Sequence, residues 1–326
     1  MTMTKPNIGW LFYKAYYQDP NIIWNETSDK DKEKNNLIFS ENNKRIFQQT
    51  LPEVSPYLYP KKAEEGEEGF KTFELKTTYP GLLIGTGYTH GTNLFGELKI
   101  GFYFDHTTGL PIIPGSSVKG LLRSMFPMQD KQRLDQKQNE GTSLVKEQKL
   151  KEAEKCFDEK KQYDESEQQK EAFIRSLLSE KQAKIDVYEL ERQIFGNANG
   201  SNDNSRGRDI FHDAILVKSE HAKLNAFPEG CFLADEYLTP HKNTKKDGIP
   251  DALKNPIPIS LLKVLPNVTF CFQFDLKNHY LVKNEDGTYE KKDFLLNAQE
   301  RLDLFKKIIE YIGIGAKTNV GYGQLQ

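Results

Sequence analysis

The sequence predicts an α+β fold in which two helices cover an open sheet. Three observations predict it. First, apolar side chains alternate with polar ones in several short runs. Phe73, Leu75 and Thr77 form one run, Leu98, Ile100, Phe102 and Phe104 a second, and Val268, Phe270, Phe272 and Phe274 a third. A period of two marks half-buried strands. Second, two segments carry a helical period. Val118, Leu121, Leu122, Met125 and Phe126 follow a Pro-Gly-Ser-Ser turn, and Leu295, Leu302, Phe305, Ile309 and Ile312 share one face. Third, with the long polar stretches set aside, the order is strand, helix (116–126), strand, strand, helix (294–312), strand. That is the βαββαβ order of a ferredoxin-like, RRM-like core, whose sheet serves RNA-recognition domains as a platform.

Composition bounds the rest. The chain has 326 residues, 37% apolar and 28% charged. That is ample for one core, with a substantial part in solvated helix or loop, so a single domain over 1–326 is expected. A net charge of −2 excludes a globally basic nucleic-acid binder and leaves a local basic groove open. Cys156, Cys231 and Cys271 are widely spaced, with neither a disulfide framework nor metal-ligand spacing, as in a reducing cytoplasm. The N-terminus lacks the apolar stretch of a signal peptide, and no run is long enough to cross a bilayer. No cofactor, metal or membrane is expected, and the expected location is cytoplasmic.

In chain order, residues 7–17 are aromatic-rich and read as packing on the core or a neighbouring subunit. Residues 26–36 read as a loop, 37–50 as a short helix and 60–69 as an exposed linker. Leu82 to Ile84 are apolar, and residues 85–91 read as a flexible polar stretch. Residues 129–192, dominated by Lys, Glu, Gln and Asp, read as a charged helical insertion facing solvent or a partner. Phe195-Gly196 ends it. A mobile Asn/Gly/Ser segment follows to Arg208, with Arg206 in it, and Ile210 to Val217 returns to strand chemistry. Residues 218–256 form a long polar connection, and long connections inside compact domains are usually functional. Two strand segments then flank Pro266-Asn267.

Two stretches carry candidate chemistry. Gly313–Gly323 holds four glycines, Lys317, Thr318, Asn319 and Tyr322. Gly313 sits where a helix needs its terminal glycine, and successive amides in such a loop can converge on an anion. A P-loop is excluded, because Ala316 precedes Lys317 and the loop follows a helix instead of opening one. A glycine-tolerant turn and an RNA-backbone loop both fit the composition. The second stretch is Gly115 to Arg123. Ser116 and Ser117 are N-cap candidates, the first-turn amides make a phosphate seat, and Lys119 and Arg123 lie four apart on one helix face. A capped helix with two solvated cations fits the same residues.

The glycine loop, the Pro114–Gly120 turn and helix, and Asn255-Pro256-Ile257-Pro258 resemble the RAMP superfamily of type III CRISPR systems. With Phe195-Gly196 and the opening Asn7–Tyr13, the chain is most similar to the sixth-subunit family of the type III-B (Cmr) effector complex. The matching blocks span nearly the whole chain. The resemblance implies a non-catalytic, guide-RNA-binding subunit of an antiviral, RNA-targeting assembly. Its place would be near the guide 3′ end, and its partners guide RNA (crRNA), target RNA and other RAMP subunits. Gly115, Ser116, Ser117, Lys119, Arg123, Gly313, Gly315, Lys317, Thr318, Asn319 and Tyr322 are the candidate RNA-binding residues, with both seats expected on one RNA backbone.

Two other classes compete. Guide-processing RAMP endoribonucleases share the glycine loop and use a histidine base with the RNA 2′-OH as nucleophile. His90, His106, His212, His221, His241 and His279 are the candidates here, and His106 is the best placed. Asp105 and Asp213 each adjoin a histidine, but neighbours on a strand point to opposite faces. A protein-only scaffold would make the glycine loop purely structural.

Overall fold

The computed structural model describes residues 6–52, 62–64, 67–89, 92, 94–128, 139–140, 142–143, 150–196, 207–223, 228–239, 258–283 and 288–326. It is a mixed α+β structure. The elements are α1 (Ile8–Tyr13), α2 (Asp29–Phe47), β1 (Gly69–Lys76), β2 (Gly85–Thr89), β3 (Ile100–Phe102), β4 (Ile112–Ile113), α3 (Gly115–Ser124), α4 (Leu150–Leu177), α5 (Val187–Phe195), β5 (Ile210–Phe211), β6 (Ala214–Ser219), β7 (Leu233–Leu238), β8 (Ile259–Val264), β9 (Val268–Leu276), β10 (His279–Lys283), β11 (Tyr289–Asp293) and α6 (Ala298–Ile312).

The principal sheet runs β1-β9-β6-β4, with β5 also on β9. All of its pairings are antiparallel. The chain end extends it past β1. Thr77 bridges Leu325, and Lys76 and Gln326 exchange backbone hydrogen bonds of 2.8 and 3.0 Å. A second sheet runs β2-β3-β8-β7. The turn at Pro266-Asn267 therefore carries the chain from one sheet to the other. Asn267 adopts a φ of 63° there, a conformation asparagine tolerates better than most residues.

Phenylalanines join the principal sheet to its helices. Phe73 opposes Phe272 across β1 and β9, their rings stacked at 5.2 Å. Phe274 meets Phe305 of α6 at 5.4 Å, and Phe211 meets both Phe305 and Phe195 of α5. Phe126, just past α3, closes the series on Phe195. Such pairs add about 0.5–1.5 kcal/mol each beyond the area they bury. Strand β9 is covered on both faces: Cys271 packs with Ile112, Ile215, Tyr103 and Val217 on the side away from this ladder. Its alternating sequence therefore marks two covered faces, where half-burial was expected.

Several sequence expectations are corrected. Residues 26–36 are not a loop, because α2 begins at Asp29. A reciprocal capping box starts it: the Asp31 amide donates to Ser28 Oγ at 3.2 Å and the Ser28 amide to Asp31 Oδ2 at 2.9 Å. The helix expected over 37–50 is the later part of α2; periodicity missed its start because, of residues 29–36, only the polar Asn35 is buried. Residues 85–89 form a strand, paired with β3. Leu295 lies ahead of α6, whose N-cap is Asn297, and it is exposed. The end of the charged 129–192 stretch enters the core: α5 buries Val187 and Leu190 within it and Ile194 and Phe195 just beyond. Residues 7–17, by contrast, pack on the core as expected, through Ile8, Leu11, Phe12 and Tyr16. Most of 218–256 beyond β7, the Asn255–Ile257 motif, Arg206, His90 and His241 lie outside the described residues.

One buried ion pair ties helix to sheet. Arg301 of α6 donates to both carboxylate oxygens of Asp209, at 2.8 and 3.0 Å, and both side chains are fully inaccessible. Arg301 also donates to the carbonyls of Leu296 and Lys277 and lies over the Phe294 ring. Burial pushes the Asp209 carboxyl up to about 6, against the pull of Arg301. The sequence gives no sign of this pair, since a charge beside Leu302 on an amphipathic helix normally faces water.

Candidate nucleic-acid interface

Helix α3 starts because Pro114 fixes its own φ and ends the extended 111–114 piece. Pro114 is the N-cap and makes no side-chain cap bond, so neither Ser116 nor Ser117 caps the helix. Its carbonyl instead accepts the amides of Ser117 at 2.8 Å and Val118 at 3.1 Å. The Gly115 amide donates to Asp213 Oδ1 at 2.7 Å. One seat amide thus already holds an anion supplied by the chain. Ser116 and Ser117 are exposed.

The two cations of α3 face inward. Arg123 donates to Glu191 Oε1 at 2.9 Å and to the Gly196 carbonyl at 3.0 Å. Lys119 holds its ammonium 5.7 Å from the centre of the Phe211 ring. Burial pushes the Glu191 carboxyl above its ordinary value, and Arg123 opposes that shift. Residues 119 and 123 share the α3 face toward α5 and β5. Ser117 and Leu121, also four apart, share another face.

The glycine loop is fastened to the sheets by its backbone. Gly313 ends α6 with its amide on Ile309 O at 2.8 Å, and Ala316 donates to Leu83 O at 2.9 Å. Ile314 donates to Gly323 O at 2.9 Å, and Gly323 to Gly81 O at 2.8 Å. Two glycines are required by close approach as well as by positive φ. A β-carbon on Gly315 (φ 95°) would stand 2.5 Å from Leu83 O, and one on Gly323 (φ 69°) 1.9 Å from Ile314 O. Lys317 takes the left-handed conformation at φ 63° and is exposed, as is Asn319. Thr318 begins a single 3₁₀ turn, Thr318–Val320. Tyr322 points inward, its hydroxyl donating at 2.8 Å to Glu236 Oε2, which also receives Lys263 Nζ at 2.7 Å. Burial and the Glu236 carboxylate push the Tyr322 phenol up to about 12.

The two seats meet. A cleft of about 310 Å³ is lined by Ser117 and Leu121 from α3 and by Ile314, Gly315 and Ala316 from the loop. Leu83, Ile84 and Gly85 form a further wall, with Tyr103, Ile113 and Pro114. Gly115, Ser116, Lys119, Arg123, Lys317, Thr318, Asn319 and Tyr322 flank these residues in the chain without lining the cleft. Tyr103 was missed in the sequence, although the alternation that turns Phe102 and Phe104 one way turns Tyr103 the other.

The described histidines lie elsewhere. His106 is exposed in a turn whose Asp105 carboxylate accepts the amides of Thr107 and Thr108. His212 contacts the Phe70 ring, and His221 accepts the Gly230 amide with its carbonyl. His279 pairs with Asp293 at 2.6 Å across the β10–β11 hairpin. Among the described residues, no group of three or more His, Cys, Asp or Glu could hold a metal ion, and no helix is long and apolar enough to cross a membrane.

The structure thus sets an antiparallel sheet backed by helices beside a glycine-rich loop that packs near the start of α3. The model of the RAMP superfamily matches residues 74–326, and the chain belongs to that superfamily. Among curated proteins no match was found. A chain in the cryo-EM structure of the type III-B Cmr-beta bound to cognate target RNA is similar over 97% of this chain and 84% of that one, at 21% identity and a TM-score of 0.48. The crystal structure of Cmr6 from Pyrococcus furiosus is similar over 78% of this chain and 97% of that one, at 20% identity and a TM-score of 0.37.

Proposed function

We propose that this protein is a non-catalytic, guide-RNA-binding subunit of a type III-B CRISPR (Cmr) effector complex, positioned near the guide 3′ end and acting in antiviral defence. Its partners are guide and target RNA and other RAMP subunits. Family membership and the motif resemblance support the assembly. One observation carries the binding role: Ser117 and Gly315, almost two hundred residues apart in sequence, line one cleft. Lys317 stands exposed two residues beyond Gly315. The principal sheet is read as a ferredoxin-like βαββαβ core. Its strands are β1, β6, β9 and the Leu325 end, and its helices are α3 and α6. The order across the sheet is Leu325 end, β1, β9, β6.

Purification of the tagged protein from its own host tests the reading. Native mass spectrometry should find a short RNA and further RAMP subunits, and the purified protein should leave labelled guide precursor and target RNA intact with and without divalent metal. Recovery of an RNA-free monomer at low salt would refute the assembly. Specific cleavage lost in His106→Ala would replace it with the nuclease.

A further inference from the structure

We infer that the cleft between α3 and the glycine loop seats one unstacked base of the bound RNA, with Tyr103 as its stacking wall. The inference deepens the RNA-binding reading and rests on it. Size comes first. About 310 Å³ is near the lower limit of small-molecule pockets, roughly 300–1,000 Å³. One ring system fits, and a stacked run of bases does not.

The lining chemistry points the same way. Leu83, Ile113, Leu121 and Ile314 give apolar walls, Tyr103 gives an aromatic one, and Ser117 supplies a hydroxyl. No lining residue is acidic. The walls thus suit a flat ring, and the rim suits the phosphate attached to it. Lys317 is exposed beside the lining residues Gly315 and Ala316, where the sugar–phosphate chain would pass. Single-stranded RNA offers such bases, splayed from the strand and stacked on aromatic side chains. Tyr103 is also firmly placed. It packs with Ile112, Ile215 and Cys271 on the face of β9 opposite the phenylalanine ladder, and its carbonyl accepts the Ile112 amide at 3.2 Å.

The test is photo-crosslinking of the full chain to a single-stranded uridine oligomer carrying 4-thiouridine, with the modified peptide mapped by mass spectrometry. The principal crosslink should fall on Tyr103 or on the neighbouring cleft wall. Leu121→Trp, which fills the cleft from α3, should suppress it about tenfold. Tyr103→Leu should weaken binding of the same oligomer about tenfold, the effect of losing one stacked base, and Tyr103→Phe should restore it. Crosslinks confined to residues outside the cleft, with binding that still depends on Lys317, would overturn the base seat and leave the RNA-binding reading standing. No measurable binding of the oligomer by the parent protein would overturn both.

Discussion

The two seats of the cleft look alike in sequence and differ in construction. Each offers glycine, hydroxyls and cations at a helix end. At α3 the charged groups turn inward: Asp213 takes the first amide, Glu191 takes Arg123, and Lys119 lies over Phe211. At the glycine loop the backbone turns inward. The amides of Ala316 and Gly323 are bonded to the 81–83 segment and those of Ile314, Val320 and Gly321 to the loop itself, while Lys317 stays in water. A cation four residues from another on a helix thus says where two charges sit relative to each other. It does not say whether they face solvent or a buried carboxylate.

The largest effect that could break this comparison is on the loop. Gly323→Val combines a β-branched side chain at positive φ with a β-carbon almost on Ile314 O. Backbone strain alone costs about 1–3 kcal/mol, and the overlap must also displace the pairing of Ile314 with Gly323. A loss above about 3 kcal/mol is expected in urea or thermal unfolding, together with loss of RNA binding. An unchanged unfolding midpoint would show that the loop is not packed as described.

The intermediate effect belongs to Arg123. Arg123→Ala removes a charged hydrogen bond to a largely buried carboxylate and should cost about 1–3 kcal/mol, with the salt dependence of RNA binding unchanged. Its pH dependence follows from the raised Glu191 carboxyl. A carboxyl whose folded-state pKa is raised gives stability that is fully present below its unfolded value and is lost as pH rises through the folded one. Removing Arg123 raises that pKa further. The cost of the substitution should therefore be largest at neutral pH and shrink on acidification through the Glu191 range. Weakened RNA binding with unchanged stability would place Arg123 on the RNA.

The smallest effect in stability is the sharpest for function. Lys317→Ala should leave the unfolding midpoint in place, because among the described residues its ammonium has no ion-pair partner. It should weaken binding across RNA sequences and reduce the log–log salt slope by about 0.7, the value of one neutralised phosphate on a single strand. A slope that does not change would make the loop a structural element only.

The sequence by itself determined the strands that alternate, the two helices that follow them, the glycine at the end of α6 and the superfamily. These depend on local periodicity and on residues with few conformational alternatives, so neighbours in the chain carry the information. Tertiary structure decided what the polar groups do. The sequence shows Ser117 and Gly315 but not that they line one cleft, because the sheet brings together segments that share no local pattern. It shows Arg301 as an ordinary polar residue, and Arg123 and Tyr322 as candidates for RNA. Burial gives each a distant partner: Asp209, Glu191 and Glu236. A polar side chain takes its partner from whatever the fold places within hydrogen-bond reach, and desolvation then makes that choice costly to undo.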